Sequence, residues 1–332
     1  MAEIVISEFM ERAAVDDLSG DYEVVYEPTL FERPDELCAL LARARALIVR
    51  NRTEVRGAVL AAGDRLEAIG RLGVGLDNID VAACAARGIA VLPARGANDV
   101  SVAEYVIATA LLLLRGAWFA TAEVLRGAWP RERLIGHEIA GRQLGLVGYG
   151  SIARVVAAKA RGLDMTVAAY DPYVRKGEPA WHGIRYCQTL EQLMASADVV
   201  SIHVPLLPAT RCLIDAAMLA AMKPGAVLIN AARGGIVDEA ALVGALKSGR
   251  LAGAALDVFA DEPLTAETAR RFEQVPNLIL TPTSPAAPRN GTSASPRSPP
   301  PTSAARSAAE KRGSEPFSAR PAGQTRRRDL AN

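Results

Sequence analysis

The sequence predicts an α/β protein of two parallel-sheet units followed by a basic tail without a core. Three observations predict it. Short apolar runs alternate with segments of helical apolar spacing, and strands linked through helices run parallel. The chain has 332 residues, more than one core holds, since single cores stop growing at about 250–300 residues. The composition also changes abruptly after Pro282.

The first unit, residues 1–98, has strand candidates at Ile4–Ile6, Val24–Tyr26, Ala46–Val49, Leu66–Arg71 and Ile89–Leu92. Helical spacing is expected over Pro34–Arg45 and Val81–Arg87. A long helix is expected from Ser101 to about Arg126, because Ser101-Val-Ala-Glu104 reads as a capping box. It leads into a second unit, residues 99–283, with strands expected at Gln143–Val147, Thr166–Tyr170, Val199–Val204, Ala226–Asn230, Ala252–Val258 and Asn277–Thr281.

Residues 284–332 hold eight of the twenty prolines, no Ile or Val, and only Phe317 and Leu330 as large apolar side chains. Such a segment cannot bury enough surface to offset its ordering entropy, so disorder is expected. It carries nine Lys/Arg and three Asp/Glu, so the formal net charge of +1 conceals a mildly acidic body. That body argues against nucleic acid as the main partner, and the Arg326–Arg328 run supports such binding by charge alone.

The four cysteines, Cys38, Cys84, Cys187 and Cys212, are far apart and form no CxxC pair. They read as thiols of a reducing cytoplasm, and no metal site is expected. The N-terminus has early acidic residues and no cleavable apolar core. The longest apolar run, Val106–Leu114 with Thr109 inside it, is too short to span a bilayer, so no membrane partner is expected.

A cofactor site is written in Leu144-Gly-Leu-Val-Gly148-Tyr149-Gly150-Ser151-Ile152-Ala153, which ends a strand and opens a helix. Gly148 permits the tight turn, Gly150 lets backbone approach a pyrophosphate, and Ala153 allows close helix–strand packing. The helix beginning at Ser151 then offers free N–H groups and a partial positive charge to phosphates. Asp171 ends the next strand, 23 residues beyond Gly148. A carboxylate there accepts ribose hydroxyls and repels a 2′-phosphate, which favours NAD over NADP, although Arg175 and Lys176 follow closely.

Five separated motifs resemble the D-2-hydroxyacid dehydrogenases of the phosphoglycerate dehydrogenase-like group. They are Gly73-Val-Gly-Leu-Asp-Asn-Ile-Asp80, Asn98-Asp-Val-Ser-Val-Ala-Glu104, His203-Val-Pro-Leu206, Leu228-Ile-Asn-Ala-Ala-Arg-Gly-Gly-Ile-Val-Asp-Glu239 and Gly253-Ala-Ala-Leu-Asp-Val-Phe-Ala-Asp-Glu-Pro-Leu264. The resemblance spans residues 1–282. It implies two Rossmann-like parallel-sheet domains: a flavodoxin-like substrate domain and an NAD-binding Rossmann domain.

The resemblance also implies roles. Arg233 would hold the substrate carboxylate and carbonyl oxygen, a task suited to a rigid, permanently charged fork. Glu262 would orient a histidine acid/base and raise its pKa. The amides around Val74 and Gly75 would receive the substrate carboxylate. Val204, Pro205, Ala231, Ala232 and Asp257 would line the nicotinamide half. Arg50 would face the distal group of the substrate, and with Arg52 it suggests a second anion, as in phosphoglycerate or sulfolactate. The partners implied are a small 2-hydroxy or 2-oxo acid and a second copy of the chain, as a cytoplasmic homodimer.

The pattern breaks at its end. The family reads Thr-Pro-His-Ile-Ala-Gly after the last strand, whereas this chain reads Thr281-Pro-Thr-Ser-Pro-Ala286. Thr283 stands at the acid/base position, and its hydroxyl cannot exchange a proton near neutral pH. His137, His182 and His203 fall elsewhere, and His203 reads as structural. Loss of one base would explain the break: a coding stretch CAC ATC GCC GGC for His-Ile-Ala-Gly would become ACA TCG CCG GC, which encodes Thr-Ser-Pro-Ala. The rival is a natural basic tail. Impaired turnover is expected either way, and the alternative function is an NAD(H)-sensing binding protein without turnover.

Overall fold

The computed structural model describes residues 3–283. The expectations for residues 284–332, including the Arg326–Arg328 run, lie outside the described residues.

Two all-parallel sheets form among the described residues. The first contains β1 (Ile4–Ile6), β2 (Val24–Tyr26), β3 (Ala46–Val49), β4 (Ala68–Arg71) and β5 (Ala90–Pro93), in the order β2-β1-β3-β4-β5. The second contains β6 (Gln143–Val147), β7 (Thr166–Tyr170), β8 (Arg185–Tyr186), β9 (Val199–Ile202), β10 (Val227–Asn230), β11 (Gly253–Leu256) and β12 (Leu278–Leu280), in the order β12-β11-β10-β9-β6-β7-β8. Strand order reverses at β1/β3 in one sheet and at β6/β9 in the other. In open parallel sheets a crevice opens at such points, beyond the carboxyl ends of the strands.

The central strands β9, β10 and β11 are buried along their whole length, as continuous apolar runs covered on both faces must be. Helices Asp99–Arg115 and Ser151–Arg161 cover one face, meeting through Ala103, Val106, Ala110, Ala153, Ala157 and Ala160. These small side chains let the two helices pack closely. Helices Leu190–Ser196, Ala216–Ala221 and Glu239–Lys247 contribute to the core on the other face.

The capping box is not formed. The bridging helix starts at Asp99, so Ser101 falls inside its first turn, and the N-cap is Asn98. The helix ends at Arg115 rather than near Arg126. Gly116 takes a left-handed φ of 64° and its N–H bonds the Leu112 carbonyl, a C-terminal stop that glycine adopts without steric cost. A 3-10 turn at Ala117–Ala120 and a short helix at Thr121–Leu125 follow across a 65° bend. Trp118, Phe119, Leu125, Trp129 and Ile135 in this stretch are exposed.

Smaller differences have local causes. β8 escaped the sequence pattern because two residues carry no alternation. The strand expected at Val199–Val204 ends at Ile202, although the His203 N–H still bonds the Val147 carbonyl at 2.7 Å. The helix expected over Pro34–Arg45 ends at Leu41. No single helix among the described residues is long and apolar enough to cross a membrane.

Candidate functional site

The glycine turn after β6 lies at the switch point of the second sheet. Gly148 has φ 90°, and a Cβ there would lie 2.7 Å from the His203 carbonyl oxygen and 2.9 Å from Val204 Cγ1. Glycine is therefore required both for the backbone angle and for the approach of the β9 loop. Gly150, by contrast, faces open space, where a Cβ would meet nothing within 4 Å. The helix from Ser151 has no side-chain cap, which leaves its first amides available, and Ala153 beneath it is fully buried.

Asp171 faces this turn. Its carboxylate accepts the Tyr149 N–H at 2.8 Å through one oxygen and the Tyr173 N–H at 2.8 Å through the other. The Tyr149 ring itself points inward: it is buried and stacks on Trp181 with centroids 5.1 Å apart. Tyr149 thus joins the site through its backbone alone. The open backbone at Gly150, the uncapped helix and the aimed carboxylate of Asp171 together suit a dinucleotide.

Arg233 leaves β10 on a braced loop. Asn230 donates from Nδ2 to the Arg233 carbonyl at 2.9 Å and accepts the Ala232 N–H at 3.1 Å. Gly234 is compulsory, since a Cβ there would run into the Phe259 carbonyl. The guanidinium reaches from this sheet to the loop after β4 in the other. Its Nε donates to Asp77 Oδ2 at 2.7 Å, its Nη1 to the Ala232 carbonyl at 2.6 Å, and its Nη2 lies against Gly75, where a Cβ would clash. Arg233, Val74 and Gly75 therefore share one cleft, next to a groove lined by Asp77, Leu206, Leu207, Pro208 and Arg211.

The remaining family positions fall around it. The Asp257 N–H bonds the Asn230 carbonyl at 2.9 Å, and its carboxylate accepts the Thr281 hydroxyl, which meets Tyr105 Oη at 2.8 Å. Glu262 folds back on its own loop, accepting the Phe259 N–H at 2.9 Å. The Pro205 carbonyl accepts the Thr210 hydroxyl at 2.6 Å, and Ala231 and Ala232 are half-buried. Thr283 is pinned on Asp257: its N–H and its hydroxyl reach the Asp257 carbonyl at 3.0 and 2.9 Å.

Of the histidines, His137 and His182 are exposed. His203 is half-buried with Nε2 2.9 Å from Ser201 Oγ, and desolvation of the ring pushes its pKa down to about 4. Near neutral pH such a ring is uncharged.

Three residues near the cleft were not singled out from the sequence. Glu8, two residues beyond β1, is buried and accepts the N–H groups of Arg50, Asn51, Arg52 and Thr53 at 2.8–3.3 Å. Its signal was an acidic residue at the carboxyl end of a central strand. Asp77 and Arg71 were legible only as part of a longer motif. The Arg50 guanidinium stands 5.9 Å from the Phe9 ring, and Arg52 lies 3.8 Å over Phe31 and 3.8 Å from Glu32. Arg52 thus carries its own partners.

Residues 107–283 match the family described as D-isomer specific 2-hydroxyacid dehydrogenase, NAD binding domain. The chain is 52% identical over 282 residues to the (S)-sulfolactate dehydrogenase of Chromohalobacter salexigens, a match covering 85% of this chain and 91% of that one. It is 38% identical over 265 residues to the D-3-phosphoglycerate dehydrogenase of Methanocaldococcus jannaschii, covering 79% of this chain and 50% of that protein, so it spans half that relative's length. Among solved structures, the Thermus thermophilus protein TT0316 superposes with a TM-score of 0.77 at 34% identity, covering 87% of this chain and 91% of that one. An NADPH-dependent glyoxylate/hydroxypyruvate reductase from Sinorhizobium meliloti superposes with a TM-score of 0.72 at 30% identity, covering 87% and 88%.

Proposed function

The chain belongs to the D-isomer specific 2-hydroxyacid dehydrogenase family, and from that premise we propose that it interconverts a small 2-hydroxy acid and its 2-oxo acid, the acid being sulfolactate-like or phosphoglycerate-like. The observation that carries this reading is the reach of Arg233 across the cleft to the Gly75–Asp77 loop. In it, residues 1–98 are the substrate domain and residues 99–283 the NAD-binding domain. Bound NAD would supply the hydride chemistry at C2.

The chain's own groups do the rest. Gly150 and the amides from Ser151 and Ile152 hold the pyrophosphate, and Asp171 holds the adenosine ribose. Val204, Pro205, Ala231, Ala232 and Asp257 line the nicotinamide half. The Val74 and Gly75 amides receive the substrate carboxylate, and Arg233 polarises the C2 oxygen. Glu262 is the carboxylate that would orient an acid/base histidine. Thr283 occupies that histidine's place and moves no proton, so roughly 10²–10⁴ in rate is forgone.

A second reading, an NAD(H)-responsive binding protein, draws support from the same threonine, held on a backbone carbonyl rather than aimed at a reacting atom. A cytoplasmic homodimer belongs to the first reading, and the exposed Trp118, Leu125, Trp129 and Ile135 supply the apolar surface for it.

The test is NADH titration and a substrate panel on this chain and on a variant carrying Thr283→His, Ser284→Ile, Pro285→Ala and Ala286→Gly. Turnover rising at least 100-fold in the variant supports an impaired dehydrogenase. Tight NADH binding with no turnover in either supports the sensor. No NADH binding in either removes both readings.

A further inference from the structure

We infer that Tyr105 and Thr281 are positioning residues for the nicotinamide end of the dinucleotide: their two hydroxyls, linked in series, fix the direction of the Asp257 carboxylate so that it meets a carboxamide N–H. This rests on the dehydrogenase reading above and adds two residues that the reading does not use.

Asp257 follows β11, is buried, and has its main chain held on both sides. Its N–H bonds the Asn230 carbonyl at 2.9 Å, and its carbonyl accepts the N–H and the hydroxyl of Thr283 at 3.0 and 2.9 Å. A fixed backbone does not by itself set the plane of the carboxylate, because the last torsion of an aspartate is broad. Thr281, directly after β12, sets it. Its hydroxyl donates to Asp257 Oδ1, and the same oxygen meets Tyr105 Oη at 2.8 Å.

The chemistry gives this chain of hydroxyls a direction. A carboxylate only accepts, so the single Thr281 proton goes to Asp257 and the Tyr105 O–H donates to Thr281. Burial first, and then the negative charge of Asp257, push the Tyr105 hydroxyl up to about 12, so it keeps the proton that it donates. A hydroxyl given to an ionised oxygen makes a stronger bond than one given to a neutral oxygen, and donors in series polarise one another.

Tyr105 is anchored in its turn. It stands in the second turn of the helix Asp99–Arg115, half-buried against the apolar cluster beneath that helix. The other end of β12 is tied to the same helix, where Asn277 Nδ2 donates to the Leu113 carbonyl at 3.4 Å. The helix and β12 are thus joined near both ends, and the hydroxyl pair lies at the end next to Asp257. A carboxylate oxygen held in this way selects for a donor. A carboxamide on the nicotinamide ring carries an N–H, whereas an acetyl group at the same ring position carries none.

The experiment is calorimetric titration of the full chain with NADH, with the reduced 3-acetylpyridine analogue of NAD, and with ADP-ribose. The second ligand keeps the ring and lacks the carboxamide N–H; the third lacks the ring. Tyr105→Phe should weaken NADH about three- to tenfold and change the other two less than roughly twofold, the size of one hydrogen bond. Thr281→Val removes both links and should weaken NADH by about tenfold or more with the same selectivity, and Thr281→Ser, which keeps the hydroxyl, should bind all three ligands as the wild type does. Melting temperature, measured on every variant, identifies any that misfolds, and Tyr105→Phe, which removes one oxygen, decides if Thr281→Val does not fold. Equal losses of NADH and ADP-ribose, unchanged NADH affinity in Tyr105→Phe, or a loss in Thr281→Ser matching that in Thr281→Val overturns the assignment. So does equal affinity of the wild type for NADH and its acetylpyridine analogue. Failure of the wild type to bind NADH and ADP-ribose alike overturns the dehydrogenase reading itself.

Discussion

Arg233 Nε and Asp77 Oδ2, 156 residues apart in sequence, meet at 2.7 Å between the loops of the two sheets. The guanidinium that would grip a substrate carboxylate already faces one of the chain's own. Asp77→Asn keeps an acceptor for Nε and removes the competing charge. Affinity for 2-hydroxy acids should rise about three- to tenfold, roughly 1 kcal/mol. Titration at low and high salt checks it; unchanged or weaker binding would show that Asp77 orients Arg233 more than it competes.

Asp171 should decide between NAD and NADP. Asp171→Ala orphans two backbone amides and deletes the proposed ribose acceptor, so NADH affinity should fall at least tenfold, in line with about 1–3 kcal/mol for a charge-assisted hydrogen bond. NADPH affinity should fall less, because the repulsion of its 2′-phosphate is removed as well. Fluorescence titration with both nucleotides reads the two numbers, and parallel losses would contradict the assignment.

Glu8 should prove costly to neutralise. Its carboxylate accepts all four N–H groups from Arg50 to Thr53. Glu8→Gln retains one acceptor oxygen and turns an NH₂ toward the same amides. We expect a loss of about 2–3 kcal/mol in urea unfolding. A change below about 0.5 kcal/mol would mean that water replaces the clamp.

His203 gives the fold an acid-sensitive element. Its folded pKa, pushed down to about 4 by desolvation, lies below the ordinary 6.5. The unfolded chain therefore takes up the proton first. The stabilisation from the neutral ring is complete above pH 6.5, declines as pH falls from 6.5 toward 4, and is gone below that. The span is worth at most about 3 kcal/mol at 1.36 kcal/mol per pH unit. His203→Gln should flatten the melting-temperature profile between pH 7 and 5; identical profiles would refute it.

Much of the site was legible because its parts are local. The turn at Gly148 and the helix from Ser151 are set by adjacent residues, and Asp171 follows at the end of the next strand. Arg233 and Asp257 came through family likeness, since neither residue type is informative by itself. What stayed hidden depends on tertiary approach. Nothing near Glu8 in sequence says that residues 50–53 will wrap it, and nothing near Tyr105 says that its hydroxyl will meet Thr281. Capping failed at Ser101 because Asn98 starts the helix one turn earlier, and the break at Gly116 was overlooked because apolar spacing continues past it.

The stacking of Trp181 on Tyr149 also has an optical consequence. Trp181 is shielded from water against the side chain of Tyr149 in the glycine turn, while Trp118 and Trp129 are 64% and 75% exposed. Intrinsic emission should therefore divide into a blue-shifted component that iodide does not quench and a red-shifted one that it does. The shielded component gives a label-free signal of what occupies the turn, read without any chemical turnover.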